Sequence, residues 1–123
     1  MIEMIKKTTL QTELVDIRRH LHRNPEVGME LPATKDFVWQ KLVEYGYEPQ
    51  SCGKMGVTCT IGQGERVFLL RGDMDALPLV EDTDLEFRSE NGAMHACGHD
   101  MHTTMLLGAA KLLKEREKEL SGV

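Results

Sequence analysis

The chain has 123 residues, enough for one domain with a core of its own. Hydrophobic residues make up 41% and charged residues 28%, a globular balance that excludes a disordered chain. A formal net charge of -5 argues against nucleic acid as a partner, because phosphate binding needs a basic face. Leu10, Leu14, Ile17 and Leu21 recur at helical spacing and predict a helix from Thr9 to Arg23. Asn24-Pro25 ends it, since the residue before proline avoids helical backbone. Pro32 suits the first turn of a second helix over Ala33 to Tyr45, with Phe37, Val38, Leu42 and Tyr45 buried and Gly46 as its cap. Tyr47 to Cys52 and Val57 to Ile61 are candidate strands, and Gly62-Gln63-Gly64 is a turn. Val67-Phe68-Leu69-Leu70 is a continuous apolar run, as in a strand covered on both faces. Leu79 to Ala93 reads as loop with a short hairpin. Met105, Leu106, Ala109, Leu112 and Leu113 predict a last helix running to Leu120, with Asp100 at its N-cap.

The order helix, helix, strand, strand, strand, helix indicates an α/β domain, a mixed β-sheet layered with helices. No run approaches the ~18 apolar residues of a membrane span, and no apolar segment behind the first residues marks a secretory leader. The three cysteines (Cys52, Cys59 and Cys97) lack framework spacing and read as reduced thiols, so a cytoplasmic protein is expected.

Chemistry concentrates in Met94-His95-Ala96-Cys97-Gly98-His99-Asp100-Met101-His102. Cys97 and His99 lie two apart, which in extended backbone points both to one side. A thiolate and an imidazole suit zinc and disfavour magnesium or calcium; the alternative is a structural cysteine beside a surface histidine. A cysteine nucleophile ranks lower, because it needs a base oriented onto sulfur and an i, i+2 histidine rarely reaches it in line. Asp73 and Asp75 follow the apolar run, where open α/β sheets place their sites. They are read as cation ligands, as carboxylates orienting a ligand histidine, or as turn residues. His95 and His102 flank the motif as substrate-binding, ligating or simply hydrogen-bonding groups. His22, with Pro25 and Glu26, is read as fixing a helix-end turn.

Together, His22-x-x-Pro25-Glu26 with Glu30 and Thr34, Arg71-Gly72-Asp73-Met74-Asp75-Ala76-Leu77-Pro78, and Met94 to His102 resemble the N-terminal part of a known family. It is the metal-dependent N-acyl-amino-acid amidohydrolases: hippurate hydrolase, auxin-conjugate hydrolase and N-acetyldiaminopimelate deacetylase, within the aminoacylase and glutamate-carboxypeptidase superfamily. Ala33 stands where many relatives carry an acidic residue. The resemblance implies a partial catalytic domain of a two-metal hydrolase acting on small N-acyl amino acids. Cys97 and His99 would be metal ligands and Asp75 an active-site acid. Asp73, His95, Asp100 and His102 would bind substrate or support the ligands. The implied cofactor is a pair of divalent metals, zinc, manganese, cobalt or nickel. In such hydrolysis the pair activates water and clamps the reacting oxygens, while a glutamate moves the proton to the leaving amine.

The family's Glu-Glu pair, its other histidine ligands and its dimerisation domain fall downstream of Val123. Residues 1–123 are therefore expected to be an N-terminal segment, inactive by itself and prone to self-association through apolar surface that the missing strands and helices would cover, with a homodimer expected for the full-length protein. The alternative is a non-catalytic metal-binding or complementing interaction module.

Overall fold

A computed structural model describes the backbone of residues 2–123 and the side chains of residue 4 and of residues 9–123. The expectation about a leader falls partly on Met1 and on side chains outside the described residues. No helix among the described residues is long and apolar enough to cross a membrane.

Three helices surround the core. Helix α1 spans Ile2–Arg23, longer at its start than predicted. Asn24 closes it through its backbone and side-chain amides, both bonded to the His20 carbonyl. Helix α2 spans Pro32–Glu44, with proline in its first turn. Its C-terminus closes in a Schellman arrangement: Gly46 N–H donates to the Val43 carbonyl and Tyr47 N–H to that of Leu42. Gly46 has φ +91°, the left-handed value this closure needs. The polypeptide then makes a small antiparallel hairpin, β1 (Gln50–Cys52) with β2 (Gly56–Thr58), Ser51 opposite Val57. Helix α3 spans His99–Glu115, and a short 3-10 turn covers Glu117–Glu119. The last helix therefore stops five residues before Leu120.

Ile17 and Leu21 of α1, Val38 and Leu42 of α2, Tyr47 and Leu107 of α3 form the core. Leu14, Phe37, Tyr45, Val57 and Met74 pack around it. The face of α3 differs from the one the periodicity suggested. Thr103, Thr104, Leu107 and Gly108 are buried, whereas Met105 and Leu112 are exposed. Gly108 explains the shift: a Cβ there would stand 3.1 Å from both Leu14 methyls, so α1 packs directly on the α3 backbone. The threonines can face inward because their hydroxyls are satisfied by carbonyls, Thr103 by Asp73 and Thr104 by Asp100.

The Val67–Leu70 run is not a covered strand. These side chains are 60–83% exposed. Arg66 C=O accepts from Val123 N–H and Phe68 N–H donates to Val123 C=O, each at 2.8 Å. That is the two-bond pattern of a parallel pair, here one residue long. The α/β layering thus consists of helices plus a small two-stranded sheet. Single bridges supplement it, parallel between Val27 and Ala76 and antiparallel between Leu77 and Met94. The latter closes the loop 78–93 at its base.

Candidate metal and substrate site

The segment after the apolar run and the start of α3 meet through three hydrogen bonds. Asp73 C=O accepts from the Thr103 hydroxyl at 2.9 Å. His99 Nδ1 lies 2.9 Å from the Asp75 carbonyl and 3.0 Å from Asp75 Oδ1. Both partners are acceptors, so Nδ1 carries the ring proton and a neutral His99 presents the lone pair of Nε2. A carboxylate behind one ring nitrogen is how proteins orient a histidine whose other nitrogen binds a metal.

His99 is the first residue of α3 and Gly98, at φ +85°, is the N-cap. Asp100 is therefore not the cap. It sits inside the first turn, 1% exposed, with Oδ1 accepting from Met101 N–H at 2.9 Å. Cys97 is free and exposed just before the helix. His102 is exposed one turn on, its ring 5.7 Å from that of His99. The Asp73 carboxylate turns instead to Arg71, 2.6 Å away. His95 is buried, and among the described residues neither of its ring nitrogens has a hydrogen-bond partner. Burial pushes its basicity down, with His22 and His99 adding to the effect against the opposing pull of Asp100 and Asp75. A buried imidazole with two open nitrogens is costly unless something polar meets it.

No three of the described His, Cys, Asp or Glu side chains converge as a cation site. The donor set nevertheless fits a borderline-soft divalent cation as far as it goes: a free thiol, a histidine nitrogen left open by Asp75, and an orphaned buried imidazole close by.

Beneath these residues lies a buried charged network that the sequence did not disclose. Asp100 Oδ2 is 2.9 Å from Arg18 Nε and 2.8 Å from His22 Nδ1. His22 Nε2 is 2.9 and 3.0 Å from the two oxygens of Glu81. Glu81 also accepts from Ser89 N–H and the Thr83 hydroxyl. Burial pushes the Glu81 carboxyl up, but Ser89, Thr83 and His22 outweigh it and bring it down to about 2. Asp100 follows the same pattern: burial raises it, and His22, Met101 N–H and Arg18 together leave it below the usual range. Each His22 ring nitrogen thus faces a carboxylate oxygen, Nδ1 that of Asp100 and Nε2 those of Glu81. The one sequence hint was Arg18 and His22 four apart on one face of α1. Nothing local announced Glu81.

Glu26 has a separate task. Its carboxylate accepts from the N–H groups of Ala33 and Thr34, 3.3 and 2.5 Å away, and so caps α2 from outside. Its carbonyl accepts from Ala76 N–H at 2.7 Å, which ties the end of α1 to the residue after Asp75.

Residues 69–122 match the family described as Peptidase family M20/M25/M40. The chain is 45% identical to the IAA-amino acid hydrolase ILR1-like 5 of Arabidopsis thaliana, over 98% of this chain and 28% of that protein. It is 49% identical to the hippurate hydrolase of Campylobacter jejuni, over 85% of this chain and 28% of that one. Among solved structures, a Bacillus subtilis protein described as a dinuclear metal binding peptidase from the M20 family superimposes with TM-score 0.85 at 40% identity, covering 94% of this chain and 34% of that one. The chain thus spans 28% to 34% of the length of these proteins.

Proposed function

We propose, from a chain that resembles the N-terminal part of the metal-dependent N-acyl-amino-acid amidohydrolases of peptidase family M20/M25/M40, that these residues build half of a cation site for amide hydrolysis. Cys97 and His99 hold the cation, Asp75 orients His99, and the substrates are small N-acyl amino acids of the kind the relatives are named for. The observation that carries this reading is His99 Nδ1 held by both the carbonyl and the carboxylate of Asp75, beside a free thiol two residues away.

A bound divalent cation would supply Lewis acidity to the scissile amide. The protein's own part is to fix donor geometry. Asp75 selects the tautomer of His99, Thr103 ties Asp73 to α3, and buried His95 offers a polar group to whatever enters beside it. A thiolate with an imidazole suits zinc, cobalt or nickel better than manganese, which prefers oxygen donors, and the Bacillus neighbour supports two metals per complete site. The exposed acids Glu115, at the end of α3, and Glu117 and Glu119, in the 3-10 turn after it, do not serve as the base. Residues 1–123 accordingly supply cation and substrate positioning within a catalytic domain. The free state of all three cysteines supports a cytoplasmic location.

Cobalt titration tests the reading. The polypeptide should develop a thiolate-to-cobalt absorption band that Cys97→Ser removes and His99→Ala weakens. It should not turn over hippurate with cobalt, manganese or zinc present. Absence of the band in the unmodified chain, or hydrolysis that survives Cys97→Ser, would refute the assignment.

A further inference from the structure

We propose that His22 is a positioning residue: it transmits the anchorage of the loop 78–93, through Asp100, to the first turn of α3 and so to His99. The inference rests on the reading of His99 as a ligand.

The geometry runs in one line. Glu81 belongs to the loop, His22 to α1, and Asp100 to α3, next in sequence to His99. His22 is 3% exposed and stands between the two carboxylates with one ring nitrogen on each. Replacing it removes the one side chain that joins the two buried carboxylates, leaving Glu81 to Ser89 and Thr83 and Asp100 to Arg18 and Met101 N–H. The loop is itself fastened to α1. The Arg18 and Arg19 guanidiniums lie 5.2 and 4.8 Å over the Phe87 ring, the His22 ring meets Phe87 edge-on at 5.6 Å, and Arg23 donates to the Glu86 carbonyl. Asn91 adds a bond to the Pro25 carbonyl.

The first turn of α3 needs such a hold. Its N-cap is glycine, with no side-chain cap. The turn is held instead by Asp100, which bonds Met101 N–H on one oxygen and takes His22 and Arg18 on the other. His99 is the residue whose backbone that turn fixes. Asp75 sets the ring's rotation, and the Asp100–His22–Glu81 line sets where the ring starts.

The test compares the unmodified chain with His22→Gln and with Glu81→Gln, which keeps its shape and touches neither α3 nor a ligand. Cobalt binding is read from the thiolate band and the ligand-field bands, at a temperature where circular dichroism shows every variant folded. Amide hydrogen exchange at Met101 to Thr104 is read without metal. Both variants should bind cobalt about tenfold more weakly, with altered ligand-field bands, and should exchange faster at those amides than in the later turns of α3. A purely structural role would lower the melting temperature and leave the spectrum of the folded protein unchanged. Cobalt affinity within twofold of the unmodified chain with an identical spectrum, in either folded variant, overturns the proposal. Should the unmodified chain show no cobalt band, the ligand reading fails instead, while the exchange rates still decide whether His22 holds the first turn.

Discussion

At the scale of single residues, the site depends on carboxylates that do different work although they look alike in sequence. Asp75 faces His99, Asp73 faces Arg71, and Asp100 faces away into the core. Asp75→Asn keeps an oxygen for His99 Nδ1 but loses the charge, so cation affinity should fall roughly 10-fold and by up to about 100-fold in Asp75→Ala. Equilibrium dialysis against zinc or cobalt measures it, and unchanged affinity in both would remove Asp75 from the site. Glu81 makes a pH prediction. Its carboxyl is lowered from the ordinary 4.5 to about 2 in the folded state. A depressed folded value contributes stability that is fully present above 4.5 and is lost as pH falls through about 2. Melting temperature should therefore fall across that acid window, and Glu81→Gln should flatten part of the decline. Parallel curves for the two proteins would show that Glu81 is not the group responsible.

At the scale of elements, the structure separates what local chemistry encodes from what only folding assembles. Pro32, Gly46 and the Asn24-Pro25 stop were legible because each acts through its own backbone. Gly46→Ala should cost about 1 kcal/mol, because alanine resists a φ of +91°. That loss corresponds to a drop of roughly 3–6 °C in melting temperature for a chain of this size. Glu26→Ala should cost a similar amount, about 1 kcal/mol, by uncapping α2. A calorimetric scan showing either variant as stable as the parent would refute that account of the helix ends. That Asp75 orients a histidine was one of three options open in the sequence, which left open the histidine it would meet. The His22 network was not legible, since its partners lie 59 and 78 residues away and complementary charges at such separations leave no periodic trace. The buried face of α3 departs from its periodicity for a related reason. Hydrophobic periodicity points to Met105 and Leu112, whereas close approach of α1 selects Gly108 and two threonines whose hydroxyls find carbonyls.

At the scale of the whole molecule, the exposed apolar run Val67–Leu70 is the candidate surface for self-association. Four consecutive large side chains and Val80 stand exposed, and among the described residues the run's backbone pairs only with Val123, through Phe68. An apolar strand with an open edge is a template for a second chain. Self-pairing over four residues gains at most about four backbone hydrogen bonds of ~0.5–1.5 kcal/mol each, plus apolar burial. Association costs on the order of 4–15 kcal/mol in lost freedom. The backbone bonds alone do not offset that cost, so any association rests on burial of the exposed apolar side chains and is expected to be weak. Sedimentation velocity from a few micromolar to several hundred micromolar should show the mean mass rising with concentration. Phe68→Lys and Leu69→Lys should each shift the rise to higher concentration, because a charge on the edge opposes pairing. They should do so without weakening cobalt binding, since neither residue touches Asp75, Cys97 or His99. A constant monomer mass over the whole range would mean that these side chains are exposed without being adhesive. A rise that both lysine variants leave untouched would place the contact elsewhere on the surface.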